Sequence, residues 1–157
     1  MDKQIMEGKR VSESFTQQVQ IVQSEHINGY QRLFGGQLMA WMDIVAGVTA
    51  RRHCCRHITT AAVEGLQFLA PAFLDDMLII TGRITYIGKT SLEVKVDVQV
   101  EALNNSRRKV NEAYFIMVAL DENNAPCPAP PLILETDEDR ELWQSGKLRK
   151  EQRSKRT

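Results

Sequence analysis

The sequence predicts an α+β domain in which one long buried helix lies across an antiparallel sheet. Three observations predict it. Residues 36–53 form an apolar run with helical spacing. Four β-rich segments follow, separated by short turns. The next helical pattern comes only after a proline-rich stretch. At 157 residues the chain has the length of one domain.

Residues 1–12 are polar and read as a flexible N-terminal arm. Residues 14–22 alternate as a strand does, with Phe15, Val19 and Ile21 on one side and Thr16, Gln18 and Gln20 on the other. Residues 24–32 form a loop carrying His26, Asn28 and Gly29. In the helix, Leu38, Met42, Val45 and Thr49 fall at i, i+4, i+7 and i+11. Met39, Trp41, Ile44, Ala46 and Val48 fill most of the remaining surface, so burial on nearly every side is expected. A helix of about 18 residues is roughly 27 Å long, enough to cross a sheet.

Residues 59–69 are β-rich and stop at Ala70-Pro71. Residues 77–87 alternate, with Leu78, Ile80, Ile84 and Tyr86 on one face. Gly88-Lys89 bends the chain into the cleanest strand, where Leu92, Val94, Val96, Val98 and Val100 point inward. Asn104-Asn105-Ser106 is a hairpin turn. Residues 110–120 are apolar on both faces and are expected to be covered on both. Pro126, Pro128, Pro130 and Pro131 make residues 121–131 an extended connector. Thr136-Asp137-Glu138-Asp139 opens a charged helix over 137–153, outside the core, with acids at its positive end. One helix covers one face of a sheet, so a homo-oligomer is expected, a dimer at minimum.

Composition excludes several classes. Formal net charge is zero, which argues against generalised attraction to nucleic acid or membrane. Cys54, Cys55 and Cys127 form neither a disulfide framework nor a zinc spacing. Free thiols, no signal-peptide pattern and no bilayer-spanning run together predict a cytoplasmic location.

Asp43 is the only charged side chain between Arg32 and Arg51. Gly36, Ala40, Asp43, Gly47 and Ala50 share one helix face, and every other member is Gly or Ala. Such a stripe admits a ligand or another backbone, and a carboxylate within it needs a partner or a chemical task. A structural ion pair and a catalytic carboxylate both satisfy that need. Gly35-Gly36 sits where the first helical N–H groups are unpaired, which suits an oxyanion hole or a tight turn that needs glycine.

The order Asn28…Phe34-Gly35-Gly36…Trp41-Met42-Asp43, then Phe68-Leu69-Ala70-Pro71, then Gly88-Lys89-Thr90-Ser91, resembles the acyl-CoA thioesterases of the hotdog superfamily. It is similar to the branch that holds brain acyl-CoA hydrolase and the small bacterial acyl-CoA thioesterases. The resemblance covers about residues 13–123, with 124–157 as the connector and basic helical tail. It implies the hotdog fold, a long helix wrapped by a curved antiparallel sheet. It implies hydrolysis of fatty acyl-CoA to free acid and CoA, without metal or other cofactor. It also implies a trimer of dimers, with Asn28 and Asp43 meeting across a dimer interface. The family usually has Gly three residues after the Asn, where this chain has Gln31.

Thioester hydrolysis needs an activated water or a nucleophile, and donors for the developing oxyanion. Asp43 suits the first and the helix start at Gly36 the second, with Asn28 orienting water or the carbonyl. General-base attack and a transient anhydride on Asp43 both remain open. Phe34, Gly35, Thr90, Ser91 and Arg108 are candidate substrate contacts. His26 and His53 are alternative bases, and the patch 107–109 or the tail from Lys147 could meet CoA phosphates. No Gly-x-Ser-x-Gly occurs, which argues against a serine hydrolase. The rival reading is a non-catalytic acyl-CoA-binding protein. A dehydratase or hydratase needs a His with its acid, and no His lies on the Asp43 face.

Overall fold

The computed structural model describes residues 6–156. In chain order the elements are β1 (Lys9–Arg10), α1 (Val11–Ser14), β2 (Thr16–Ile21), a 3-10 turn at Ser24–His26, α2 (Gly35–Cys54), β3 (His57–Phe68), β4 (Met77–Ile87), β5 (Ser91–Glu101), β6 (Arg107–Leu120), β7 (Leu132–Ile133) and α3 (Asp137–Ser154). Five strands form one antiparallel sheet in the order β2-β4-β5-β6-β3. With α2 laid along one face of this sheet, the architecture is the hotdog fold.

The expected stripe is the buried one. Leu38, Met42, Val45 and Thr49 face the sheet with Trp41, Ala46 and Ala50. They pack on Leu78, Ile80, Val94, Val96, Val98, Phe115 and Met117, all at most 1% exposed. Each such side chain contributes roughly 1.5–3 kcal/mol relative to exposure. The back of α2 differs from the expectation of burial all round. In the single chain Gly36, Ala40 and Asp43 are exposed and Ile44 is 55% exposed. The sheet covers one side of a helix, and nothing among the described residues covers the other.

Two further expectations are corrected, and the facing of one strand is decided. The arm expected over 1–12 is structured from Lys9 onward, because β1 pairs with β7 and α1 follows at once; residues 1–5 lie outside the described residues. On β2 the apolar side faces outward, with Phe15, Val19 and Ile21 each 44–52% exposed. The register decides this, since Gln18 and Gln20 oppose Ile80 and Leu78 and share their inward face. Tyr86 leaves the face of Leu78, Ile80 and Ile84, because a bulge after Ile84 shifts the pairing by one residue. It turns outward onto Trp143 of α3, with ring centroids 5.0 Å apart.

α3 is no detached charged helix. It lies on the face of the sheet opposite α2 and supplies, from the same chain, part of the cover assigned to a partner. Thr136 caps it through the Asp139 N–H (3.0 Å), and Asp139 accepts from the Thr136 N–H in return. Arg83 bonds Asp139 at 2.6 Å, Arg149 clamps buried Glu93 through two bonds of 2.7 and 3.0 Å, and Arg153 bonds Glu64 at 2.7 Å. Burial alone would raise the Asp139 carboxyl. Hydrogen bonds at Glu135 and Thr136, with the Arg83 charge, outweigh it and hold the carboxyl below its ordinary value. Both edges of the sheet, β2 and β3, remain open, and most of β3 is exposed.

Candidate active site

Asp43 stands on the open back edge of α2, beside β3. Its Oδ1 accepts a hydrogen bond from the Thr60 hydroxyl at 2.7 Å. Thr60 opposes Met117 and so points to the helix side of β3. Gly47, one turn on from Asp43, lets Ile58 and Met117 come within 4 Å of where a Cβ would lie. The small residues therefore bring helix and strand close, and the carboxylate is fixed by a neutral hydroxyl. No cation pairs with Asp43 among the described residues. Thr60 was missed in the sequence, because the contact joins residues 17 apart through the helix-to-sheet packing. A lone acid in search of a partner was the only signal.

The helix start forms a second locus. The Phe34 carbonyl accepts from the Gln37 and Leu38 N–H groups at 3.1 and 3.2 Å. No acceptor meets the Gly35 or Gly36 N–H among the described residues. These two donors, at the positive end of a 20-residue helix, are available to an oxyanion. The Phe34 ring folds beside Gly36, where a Cβ would lie 2.5 Å from it, so any larger residue there would have to displace the ring.

Asn28 shapes the preceding loop. Its Oδ1 accepts from the Tyr30 and Arg32 N–H groups at 3.0 and 3.4 Å, which leaves the Nδ2 donor free to point elsewhere. Gln31 adopts φ of 63°, the left-handed conformation that glycine takes without cost. The substitution noted in the sequence thus keeps the turn and strains it. Asn28, Gly35, Leu33, Phe68, Leu69 and Pro71 line a groove of about 340 Å³. Arg108 braces its wall, donating to the Pro71 carbonyl at 3.0 Å and reaching Asp76 at 3.4 Å.

One chain does not unite these loci. Asp43 lies seven residues beyond Gly36, roughly 10 Å along the helix, and is not in the groove with Asn28. Ser91 is farther still. It opposes Val118 on the outer face of the sheet and accepts from Lys150 at 3.3 Å. Thr90 is held by its carbonyl, which accepts from the Ala119 N–H. Arg107 and Lys109 are paired with Glu101, Asp97 and Glu112. In the tail, Arg149 and Arg153 are paired with Glu93 and Glu64.

The histidines serve structure. His26 Nδ1 accepts from the Gln23 N–H, and its ring stands edge-on to Trp41 at 4.8 Å. His53 is fully buried, with Nε2 2.8 Å from the Pro130 carbonyl. Burial holds its pKa below the ordinary value.

The thioesterase superfamily pattern matches residues 30–104. An acyl-CoA thioester hydrolase of Bacillus subtilis, itself uncharacterised, is 35% identical over 130 residues, covering 82% of this chain and 76% of the relative. The chain spans 31% of the longer cytosolic acyl coenzyme A thioester hydrolase of the rat, at 34% identity. Among solved structures, an acyl-CoA hydrolase of Staphylococcus aureus in complex with butyryl coenzyme A, coenzyme A and coenzyme A disulfide superposes with a TM-score of 0.89. It is 30% identical, covering 94% of this chain and 91% of that one, and alanine variants at an Asn, an Asp and a Thr of that enzyme are also solved. An apo-hexameric acyl-CoA thioesterase gives a TM-score of 0.91 at 33% identity, covering 96% and 97%. Sequence and fold converge: this chain belongs to the acyl-CoA thioester hydrolases of the thioesterase superfamily and is an enzyme of that class.

Proposed function

We propose that the protein hydrolyses acyl-CoA to free acid and CoA at a site built by two copies of the chain, without a resident cofactor. One copy supplies Asn28 and the free N–H groups of Gly35 and Gly36. The other supplies Asp43, held by Thr60. Two copies joined along their open β3 edges would cover the exposed backs of both α2 helices. That covering would turn Asp43 from an exposed carboxylate into one in a narrow, dry gap. The hexameric relative supports three such dimers in one assembly. A cytoplasmic location accords with the reading, since no helix among the described residues is long and apolar enough to cross a membrane.

In the reaction, either the Asp43 carboxylate takes a proton from water as that water attacks the thioester carbon, later returning the proton to solvent, or it attacks that carbon itself, forming an anhydride that water then hydrolyses to the free acid and the restored carboxylate. The Gly35 and Gly36 N–H groups receive the developing oxyanion, and one such donor is typically worth about 3 kcal/mol in the transition state. The Asn28 Nδ2 donor orients the water or the carbonyl. The CoA thiolate leaves and is protonated by solvent. Phe34 and Arg108 would contact or brace the substrate. Thr90 and Ser91 could do so only from a neighbouring chain, since Ser91 lies on the far face of its own sheet.

The observation that carries this reading is the split. A carboxylate fixed by Thr60 faces open space, and the donors it needs lie roughly 10 Å away on the same helix. Mixing tests it. Asn28→Ala and Asp43→Ala proteins are each expected to be folded and inactive. After dissociation and reassociation, one site in a hybrid dimer carries both native groups, and activity returns to about a quarter of wild type by statistical mixing. Full turnover by Asp43→Ala alone overturns the catalytic assignment. No recovery, with subunit exchange verified by mass spectrometry, overturns the shared site.

A further inference from the structure

Asn111 has no place in the mechanism above, yet it is the most incongruous side chain in the core. It lies on the helix-facing side of β6, in line with Ala113, Phe115 and Met117. It is 0% exposed, and neither its Oδ1 nor its Nδ2 has a hydrogen-bond partner. A carboxamide buried with both atoms unpaired is costly, whereas leucine would fill the same shape without that cost. Oδ1 calls for a donor and Nδ2 for an acceptor.

Its neighbour shows from which side they could come. Asn111 directly opposes Phe68 of β3, so the two side chains share the inner face with Cβ atoms about 5 Å apart. The Phe68 ring lies 3.7 Å from where a Cβ on Gly35 would be, and it lines the groove with Asn28. It is 60% exposed in the single chain. One aromatic ring thus stands between the groove beside the helix start and the unpaired amide.

We propose that Asn111 is the specificity-determining residue at the acyl end of the site, selecting acyl groups that carry a hydroxyl over plain alkyl chains. The proposal rests on the thioesterase reading. A hydroxyl donates to Oδ1 and accepts from Nδ2, whereas a ketone meets only Nδ2 and an alkyl chain meets neither. An alkyl chain reaching this point leaves both atoms stranded in a dry place.

The test is kcat/KM for CoA release across a series of straight-chain acyl-CoAs, each paired with hydroxyacyl-CoAs whose hydroxyl moves along the chain. Wild type is expected to prefer the hydroxylated member at one position by about tenfold, which corresponds to 1.4 kcal/mol. Asn111→Leu removes that preference and raises turnover of the alkyl partner. Asn111→Ser, polar but shorter, moves the preferred position deeper along the chain. It decides the matter should Asn111→Leu fail to fold. A wild type that hydrolyses both series without preference overturns the proposal. So does an unaltered preference in Asn111→Leu, or an unmoved position in Asn111→Ser. A wild type that releases CoA from no thioester overturns the hydrolase reading itself, and this proposal with it.

Discussion

Arg149→Met tests whether α3 is held to the sheet by charge. Glu93 is 2% exposed and receives two Arg149 bonds and one from the Thr85 hydroxyl at 2.7 Å. Arg149 also lies 3.8 Å above the Tyr114 ring. Methionine keeps the length of the stem and removes the cation. Breaking a buried pair costs about 3–5 kcal/mol. The Thr85 bond softens the loss, and the lost cation–π contact adds roughly 0.5–1 kcal/mol. We expect destabilisation of about 3 kcal/mol at pH 7. Urea unfolding of both proteins at one protein concentration measures it. A loss under about 0.5 kcal/mol would refute the reasoning.

Gly146→Ala should destabilise by about 1–3 kcal/mol, although alanine is the better helix former. A Cβ there would lie 2.6 Å from Tyr86 Cβ and 2.9 Å from Glu93 Oε1. A rise in melting temperature would show that α3 is not seated on the sheet. Gln31→Gly should stabilise by up to about 1 kcal/mol, because glycine takes the left-handed conformation without strain. A loss of stability would mean that the Gln31 side chain matters more than its backbone. Asp139 is held below its ordinary pKa, so the stability it lends is fully present above that ordinary value, near 4, and is lost as pH falls through the lowered one. Trp143 fluorescence should therefore report α3 loosening in acid, and Asp139→Asn should abolish the acid step. At neutral pH Cys54, whose thiol burial pushes up to about 11, should resist iodoacetamide while exposed Cys55 reacts. Equal labelling by peptide mass spectrometry would contradict this.

The sequence by itself determined the long elements. Period-3.6 spacing placed α2, period-2 alternation placed β4 and β5, and the Thr136–Asp139 box placed the start of α3, because each signal lies within a few residues of chain. It also singled out Asp43 by its isolation on a small-residue face, Gly36 by its place at the helix start, and Asn28 through the family resemblance. Tertiary structure decided which faces meet. Strand register turned Phe15, Val19 and Ile21 outward, against the simple rule that the apolar side is the inner one. A one-residue bulge sent Tyr86 to α3, and α3 used Arg149 and Arg153 for docking, which a basic tail read as sequence did not show. Thr60 and Asn111 were invisible for the same reason. Their contacts join strands and helices distant in sequence, and only packing sets that geometry. A spacing rule records what is near along the chain, whereas the partner of a buried or reactive group is fixed by the register and docking of whole elements.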